Sequence, residues 1–288
     1  MKKIVILGCE NSHAATFLKL IRENPDRYGD IAVCGVYSRE EEAMATLEKD
    51  YGVPRMRHHA DLAGKVDGVV ITARNGEDHD AFALPYLAPG LALFLDKPIT
   101  VKEEKALSLL RACREKEVTV CGGSCCKHAE ELFPLKAALA AEPEAVRGGF
   151  FAAPIQLESP YAGFFFYAQH LVDMILAVYG GPTAVLAAQN GKNVTVLFRY
   201  PGYDVVGRYA EGAYGYYATV DLGAHILGGA VSIGDACFRA EWDDFCRLLH
   251  GGKQETPYED FALPVFVMNA IHRSLESGRE EVLPTDKL

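Results

Sequence analysis

The stretch Ile4–Ala15, IVILGCENSHAA, decides how the chain begins. Its apolar run, Ile4 to Leu7, is too short for a helix and too continuous for a half-exposed strand, which is the pattern of a strand buried on both faces. Gly8 follows at once, and beyond Ser12 apolar residues recur at Ala14, Phe17, Leu18 and Ile21, the spacing of one helix face. Strand, glycine and helix in that order open a dinucleotide-binding unit. There the glycine allows a tight turn, and the helix start offers unpaired N–H groups and a positive dipole end to a pyrophosphate. Gly8, Cys9, Glu10, Asn11, Ser12 and His13 are therefore candidate cofactor-binding residues, with Asn11 or Ser12 capping the helix and Ser12 and His13 donating to a phosphate oxygen. Glu10 and His13 stand where the motif wants its second and third glycines. Taken alone, the fragment reads equally well as an altered cofactor turn or as a turn that binds nothing.

Outward from this turn the same grammar repeats. Ile31–Tyr37, Val66–Thr72, Leu91–Leu95 and Val118–Cys121 are further short apolar strands, with helices over Glu40–Tyr51 and Lys102–Lys116. Such strands separated by helices predict a parallel sheet covered on both faces. After about residue 122 the pattern changes: Asn193–Tyr200, Val205–Tyr209, Tyr216–Leu222 and Ile226–Ile233 follow one another through turns such as Asn190–Gly191 and Pro201–Gly202. Sequential strands with short links predict an antiparallel sheet, accompanied by helices at 165–179, 238–250 and 257–276. The expected class is α/β, with a doubly wound parallel sheet over 1–121 and an α+β domain with an open, mostly antiparallel sheet over 122–288.

A net charge of −10, from 39 acidic and 29 basic residues, speaks against a nucleic-acid or anionic-membrane surface. The uncharged stretches 81–95 and 174–191 are short for a membrane span and are broken by Pro85, Pro89 and Gly180–Gly181–Pro182. The start, MKKIVILGC, imitates a lipoprotein signal, but its apolar run stops at Leu7, short of the roughly 7–15 residues a signal requires. A cytoplasmic protein is expected, with its eight cysteines reduced. Cys121, Cys125, Cys126 and His128 cluster without a C-x-x-C pair or a second half-site, so buried thiols are the preferred reading and no metal is expected.

The second strand ends in GVYSRE, Gly35–Glu40. A carboxylate there would hold a ribose 2′-hydroxyl; Ser38 followed by Arg39 suits a 2′-phosphate instead. Arg39 also reads as an exposed charge opening a helix. The cofactor expected is NAD or NADP, with NADP favoured.

Two further stretches, DGVVITARNGEDH (Asp67–His79) and LDKPIT (Leu95–Thr100), resemble the glucose–fructose oxidoreductase, inositol dehydrogenase and rhizopine-catabolism (Gfo/Idh/MocA) family, as does the closing MNAIHRSLESGREEVLP, Met268–Pro284. The resemblance spans essentially the whole chain. It implies a Rossmann domain, an acidic-Lys-Pro motif formed by Asp96, Lys97 and Pro98, and a substrate-bearing antiparallel sheet. It also implies that Thr72 and Ala73 line the cofactor, with His79 in the helix after them. Lys97 makes sense independently. A lysine leaving the carboxyl end of a parallel strand points into the ligand crevice, where its cation stabilises an alkoxide as hydride leaves carbon. A surface lysine beside a turn is the plainer alternative.

GFFFYAQHLVDMILAVYGG, Gly163–Gly181, resembles the family's substrate-domain helix. The resemblance makes His170 the proton-handling residue, and Asp173, three residues on and on the same helix face, its orienting carboxylate. Phe166 stands where the family has a catalytic aspartate, which leaves Tyr167 as the neighbouring phenol and substitute. A histidine titrating near neutrality takes a hydroxyl proton in oxidation and returns it in reduction; a satisfied core histidine is the plainer alternative. The tyrosines of 200–217 read as strand formers, with an interface or sugar-stacking role as the other reading. The family's sheet commonly pairs with another subunit, which implies a homo-oligomer through the carboxyl-terminal sheet. The expected function is an NAD(P)-dependent oxidoreductase moving a hydride between nicotinamide and a small-molecule polyol, sugar or related hydroxy compound. The alternatives are an NAD-dependent glycoside hydrolase using transient oxidation, and a catalytically inactive dinucleotide- or sugar-binding sensor, to which Glu10 and Phe166 point.

Overall fold

The fold is that of a computed structural model, which describes residues 1–284. Two compact units emerge: Met1–Gly123 joined by Phe238–Phe261, and Ser124–Cys237 joined by the chain from Ala262 onward.

The first unit runs β1 (Lys2–Leu7), α1 (Ser12–Glu23), α2 (Pro25–Tyr28), β2 (Ile31–Tyr37), α3 (Glu41–Tyr51), β3 (Gly68–Ile71), α4 (His79–Ala83), β4 (Ala92–Asp96), α5 (Glu103–Glu115) and β5 (Thr119–Gly123). All five strands are parallel, in the order β2-β1-β3-β4-β5. The chain winds first to one side of β1 and then crosses to the other, and with right-handed crossovers this sends helices to both faces. The reversal falls between β1 and β3, where an open α/β sheet leaves a crevice outside its carboxyl ends. Ile4, Val5, Ile6 and Leu7 are all fully buried, which is why their run shows no in-out alternation.

The second unit opens with a 3₁₀ turn at Cys125–His128 and continues through α6 (Leu132–Ala141), β6 (Gly148–Ile155), α7 (Phe165–Tyr179), β7 (Ala184–Asn190), β8 (Asn193–Tyr200), β9 (Tyr203–Glu211), β10 (Tyr216–Asp221) and β11 (Ile226–Val231). With β12 (Glu281–Val282), these strands form a seven-stranded sheet ordered β11-β10-β6-β9-β8-β7-β12. Only β6 and β9 pair in parallel, so the sheet is mostly antiparallel, as expected. On β8 the inward residues Val194, Val196, Phe198 and Tyr200 alternate with more exposed ones. Two phenols tie α7 to the sheet: Tyr209 donates to the Ala168 carbonyl at 2.8 Å, and Tyr179 donates to the Gly148 carbonyl at 2.7 Å.

One segment lies elsewhere than expected. Residues 238–261 cover most of α8 (Asp235–Leu249) and the start of α9 (Tyr258–Ser277), and they pack in the first unit. Trp242, fully buried, stacks on Phe17 at 4.7 Å, and Phe245, Leu248 and Leu249 enter the same core as Ile4 and Phe94. Polar links reinforce this: Tyr28 donates to Asp243 at 2.7 Å, Tyr258 donates to the Val118 carbonyl at 2.7 Å, and Arg114 pairs with Glu259. Apolar burial on this scale outweighs proximity in sequence. Among the described residues no helix is long and apolar enough to cross a membrane.

Candidate active site

The turn after β1 is built around Gly8, whose φ of +75° suits glycine. A Cβ there would lie 2.2 Å from the Ala73 Cα, so the β1 turn and the end of β3 touch backbone to backbone. Thr72 locks the contact, its hydroxyl donating to the Gly8 carbonyl at 3.0 Å. The N–H groups of Gly8 and Cys9 both donate to the Tyr37 carbonyl at the end of β2. Burial, aided by the Glu10 charge, pushes the Cys9 thiol up to about 12, so it stays neutral.

The side chains that follow behave differently from the sequence expectation. Asn11 is the N-cap of α1 but makes no side-chain capping bond; its amide donates to Asp96 at 2.9 Å, and Ser12 donates to Asn11 at 3.2 Å. His13 does not reach for a phosphate. It is buried in the first unit with Nδ1 3.5 Å from Asp96 and Nε2 3.2 Å from Glu241. Burial, the largest single effect, opposes its charge, but Asp96 and Glu241 overcome this and raise its pKa.

Glu10 reaches the segments that follow β2 and β3. Its carboxylate accepts from the Ser38 hydroxyl at 2.6 Å and from the Arg74 N–H at 2.9 Å. Beside it lies a cavity of about 710 Å³ lined by Tyr37, Ser38, Arg39, Met44, Arg55 and Arg57. Arg39, two-thirds exposed, pairs with Asp78 at 2.7 Å.

At the end of β4, Asp96 is fully buried and accepts the Lys97 N–H at 2.7 Å, while Lys97 is only 5% exposed. The Lys97 charge works against protonation of both His13 and His79. His79 is entirely buried; its Nε2 bonds to the Ala73 carbonyl at 2.9 Å, and burial lowers its pKa, so it is neutral and supports the loop that meets Gly8.

In the second unit, His170 of α7 is 7% exposed and its Nδ1 lies 2.6 Å from Ser124 Oγ and 3.3 Å from Cys126 Sγ. Tyr167 sits edge-on to it, ring centroids 5.1 Å apart. Asp173 was expected to orient His170; instead its carboxylate accepts the Ser124 N–H at 2.7 Å and the Gln169 amide at 3.1 Å. Ser124 and Cys126, the residues that do meet the imidazole, went unremarked as partners because adjacent cysteines read as core. The available signal was their position directly past the carboxyl end of a parallel strand.

These residues suit a dinucleotide. The Gly8 turn is a cradle that a Cβ would fill, the first turn of α1 has no side-chain cap, and a carboxylate waits at the end of β2. Residues 2–124 match the model of the Gfo/Idh/MocA family, an oxidoreductase family with an NAD-binding Rossmann fold. A search of curated proteins by sequence finds none that matches. Solved structures share the whole fold. A putative myo-inositol dehydrogenase from Sinorhizobium meliloti is 16% identical with a TM-score of 0.80, over 98% of this chain and 100% of its own. Myo-inositol 2-dehydrogenase from Lactobacillus plantarum is 12% identical with a TM-score of 0.82, over 98% and 99%. Scyllo-inositol dehydrogenase from Lactobacillus casei, solved with NAD(H) and scyllo-inositol, is 13% identical with a TM-score of 0.81, over 98% and 99%.

Proposed function

We propose that this protein is an NAD-dependent dehydrogenase acting on a secondary hydroxyl of a polyol of the inositol kind. The observation that carries this reading is the backbone contact of Gly8 with Ala73 at the sheet's switch point, with Lys97 buried at the end of β4. The dinucleotide, when bound, supplies hydride transfer at nicotinamide C4. The first-turn N–H groups of α1 hold its phosphates, and Thr72 and Ala73 line its path. Lys97 polarises the substrate oxygen, and His170 accepts the hydroxyl proton at Nε2, the ring nitrogen not engaged by Ser124 and Cys126.

Glu10 favours NAD over NADP. It brings a carboxylate to Ser38, where a ribose diol would be read, and that charge repels a 2′-phosphate. Arg39 is already paired with Asp78. The polyol likeness rests on the inositol dehydrogenases above. Exposed Tyr217 and Ile226 on β10 and β11 support self-association through the second sheet.

The test is a fluorescence titration with NADH and NADPH, then an inositol and sugar panel followed by nicotinamide absorbance. Saturable NADH binding with polyol-dependent NADH production supports the reading; binding without turnover on any polyol counts against it.

A further inference from the structure

The sulfur of Cys126 is surrounded by hydrogen-bond donors. It is fully buried and lies 3.3 Å from His170 Nδ1, and the Cys125 thiol, the Ser124 hydroxyl and the Tyr216 phenol are the groups that act on its charge. The Ser124 oxygen in turn accepts the Cys126 N–H at 3.1 Å and meets His170 Nδ1 at 2.6 Å. A neutral thiol is a weak acceptor and would leave such a set poorly matched; a thiolate satisfies it.

We propose that Cys126 is a positioning residue that serves His170 as a buried thiolate, holding the proton on Nδ1 and taking it when Nε2 accepts one from the substrate hydroxyl. This rests on the reading of His170 as the proton acceptor. The substrate O–H breaks as Nε2–H forms, and Nδ1–H breaks as S–H forms. Negative charge thus passes from sulfur to substrate oxygen, and in reduction each step reverses. Cys126 fills the place for which Asp173 was expected.

The other cysteines provide the contrast. Cys113, buried without such donors, is pushed up to about 12 by burial alone, whereas Cys126 is held well below the usual thiol range, its Cys125 bond outweighing burial with help from His170 and Ser124. The titratable groups around the pair are Cys125 and Lys127 in the 3₁₀ turn, Tyr167 and Asp173 on α7, Tyr216 on β10 and Tyr214 just before it. Asp173 spends its carboxylate on Ser124 and Gln169 and does not compete for Nδ1.

The test uses the full chain and needs no cofactor. Far-ultraviolet thiolate absorbance, wild type minus Cys126→Ser, is followed against pH. Thiolate present well below about 8.5, where free cysteine ionises, supports the proposal; thiolate appearing only at or above that value overturns it. Nitrogen-labelled histidine spectra then read the His170 tautomer in both proteins. Nδ1–H in wild type, giving way to Nε2–H in Cys126→Ser, is expected; an unchanged tautomer overturns the proposal. In turnover, Cys126→Ser should lower kcat by about a hundredfold with KM held, and the acid limb of the wild-type profile should track the thiolate titration. Identical pH profiles in the two proteins would overturn it. If wild type turns over no polyol, the proposed function fails, while the two spectroscopic results still judge the thiolate.

Discussion

The Ser38 hydroxyl donates to the Glu10 carboxylate across 2.6 Å, so a residue of the first turn supplies the negative charge that the end of β2 lacks in its own sequence. On the proposed reading, Glu10→Gln removes the repulsion toward a 2′-phosphate and keeps a group able to bond Ser38. The ratio of NADPH to NADH affinity should rise about tenfold, roughly 1.4 kcal/mol. Fluorescence titration of both nucleotides measures it, and an unchanged ratio would refute this role for Glu10.

Gly8→Ala should cost roughly 3 kcal/mol or more, because the new methyl meets the Ala73 backbone and the left-handed φ is strained as well. Gly52 has a similar φ of +70° but open space around it, so Gly52→Ala should cost only about 1–2 kcal/mol. Urea midpoints of the two variants separate close approach from backbone strain.

Lys97→Met should lower kcat by about a hundredfold or more while NADH still binds. Equal losses in kcat and NADH affinity would instead make Lys97 a cofactor ligand.

His13 has a folded pKa raised above its unfolded value, so its stabilisation is fully present below about pH 6.5 and is lost as pH rises through the folded value. His79 is the reverse: it is buried neutral, and it destabilises the fold as pH falls below about 6.5. Denaturation midpoints across this range for wild type and His13→Gln should diverge in acid and converge in alkali. Parallel curves would exclude a charged His13.

Trp242→Ala should cost about 3–5 kcal/mol through cavity formation between Phe17 and Phe245. A loss below about 1 kcal/mol would mean that this ring is not part of the first unit's core.

The parallel sheet was legible because strands buried on both faces write themselves as unbroken apolar runs, as Ile4–Leu7 does. By contrast, β6 escaped notice: GGFFAAPI begins with two glycines, carries Pro154 and does not alternate, although it is central to the second sheet. Periodicity also finds a helix without saying what it packs on, which is why α8 looked like part of the second domain. The same limit applies at His170. Helical spacing correctly placed Asp173 on the neighbouring turn, but which carboxylate meets which donor depends on residues 124–126, far off in sequence. The burial of Lys97 was legible because a strand end fixes the direction of its side chain.

The first unit is finished by a piece of chain made long after the rest of it. During synthesis residues 1–123 leave the ribosome with the face of Phe17 and Phe94 bare, and it stays bare until Trp242 and its neighbours arrive. A nascent chain halted before residue 238 therefore carries an unsealed, sticky Rossmann sheet, and the protein cannot be cut into two halves at residue 123 without opening that wound.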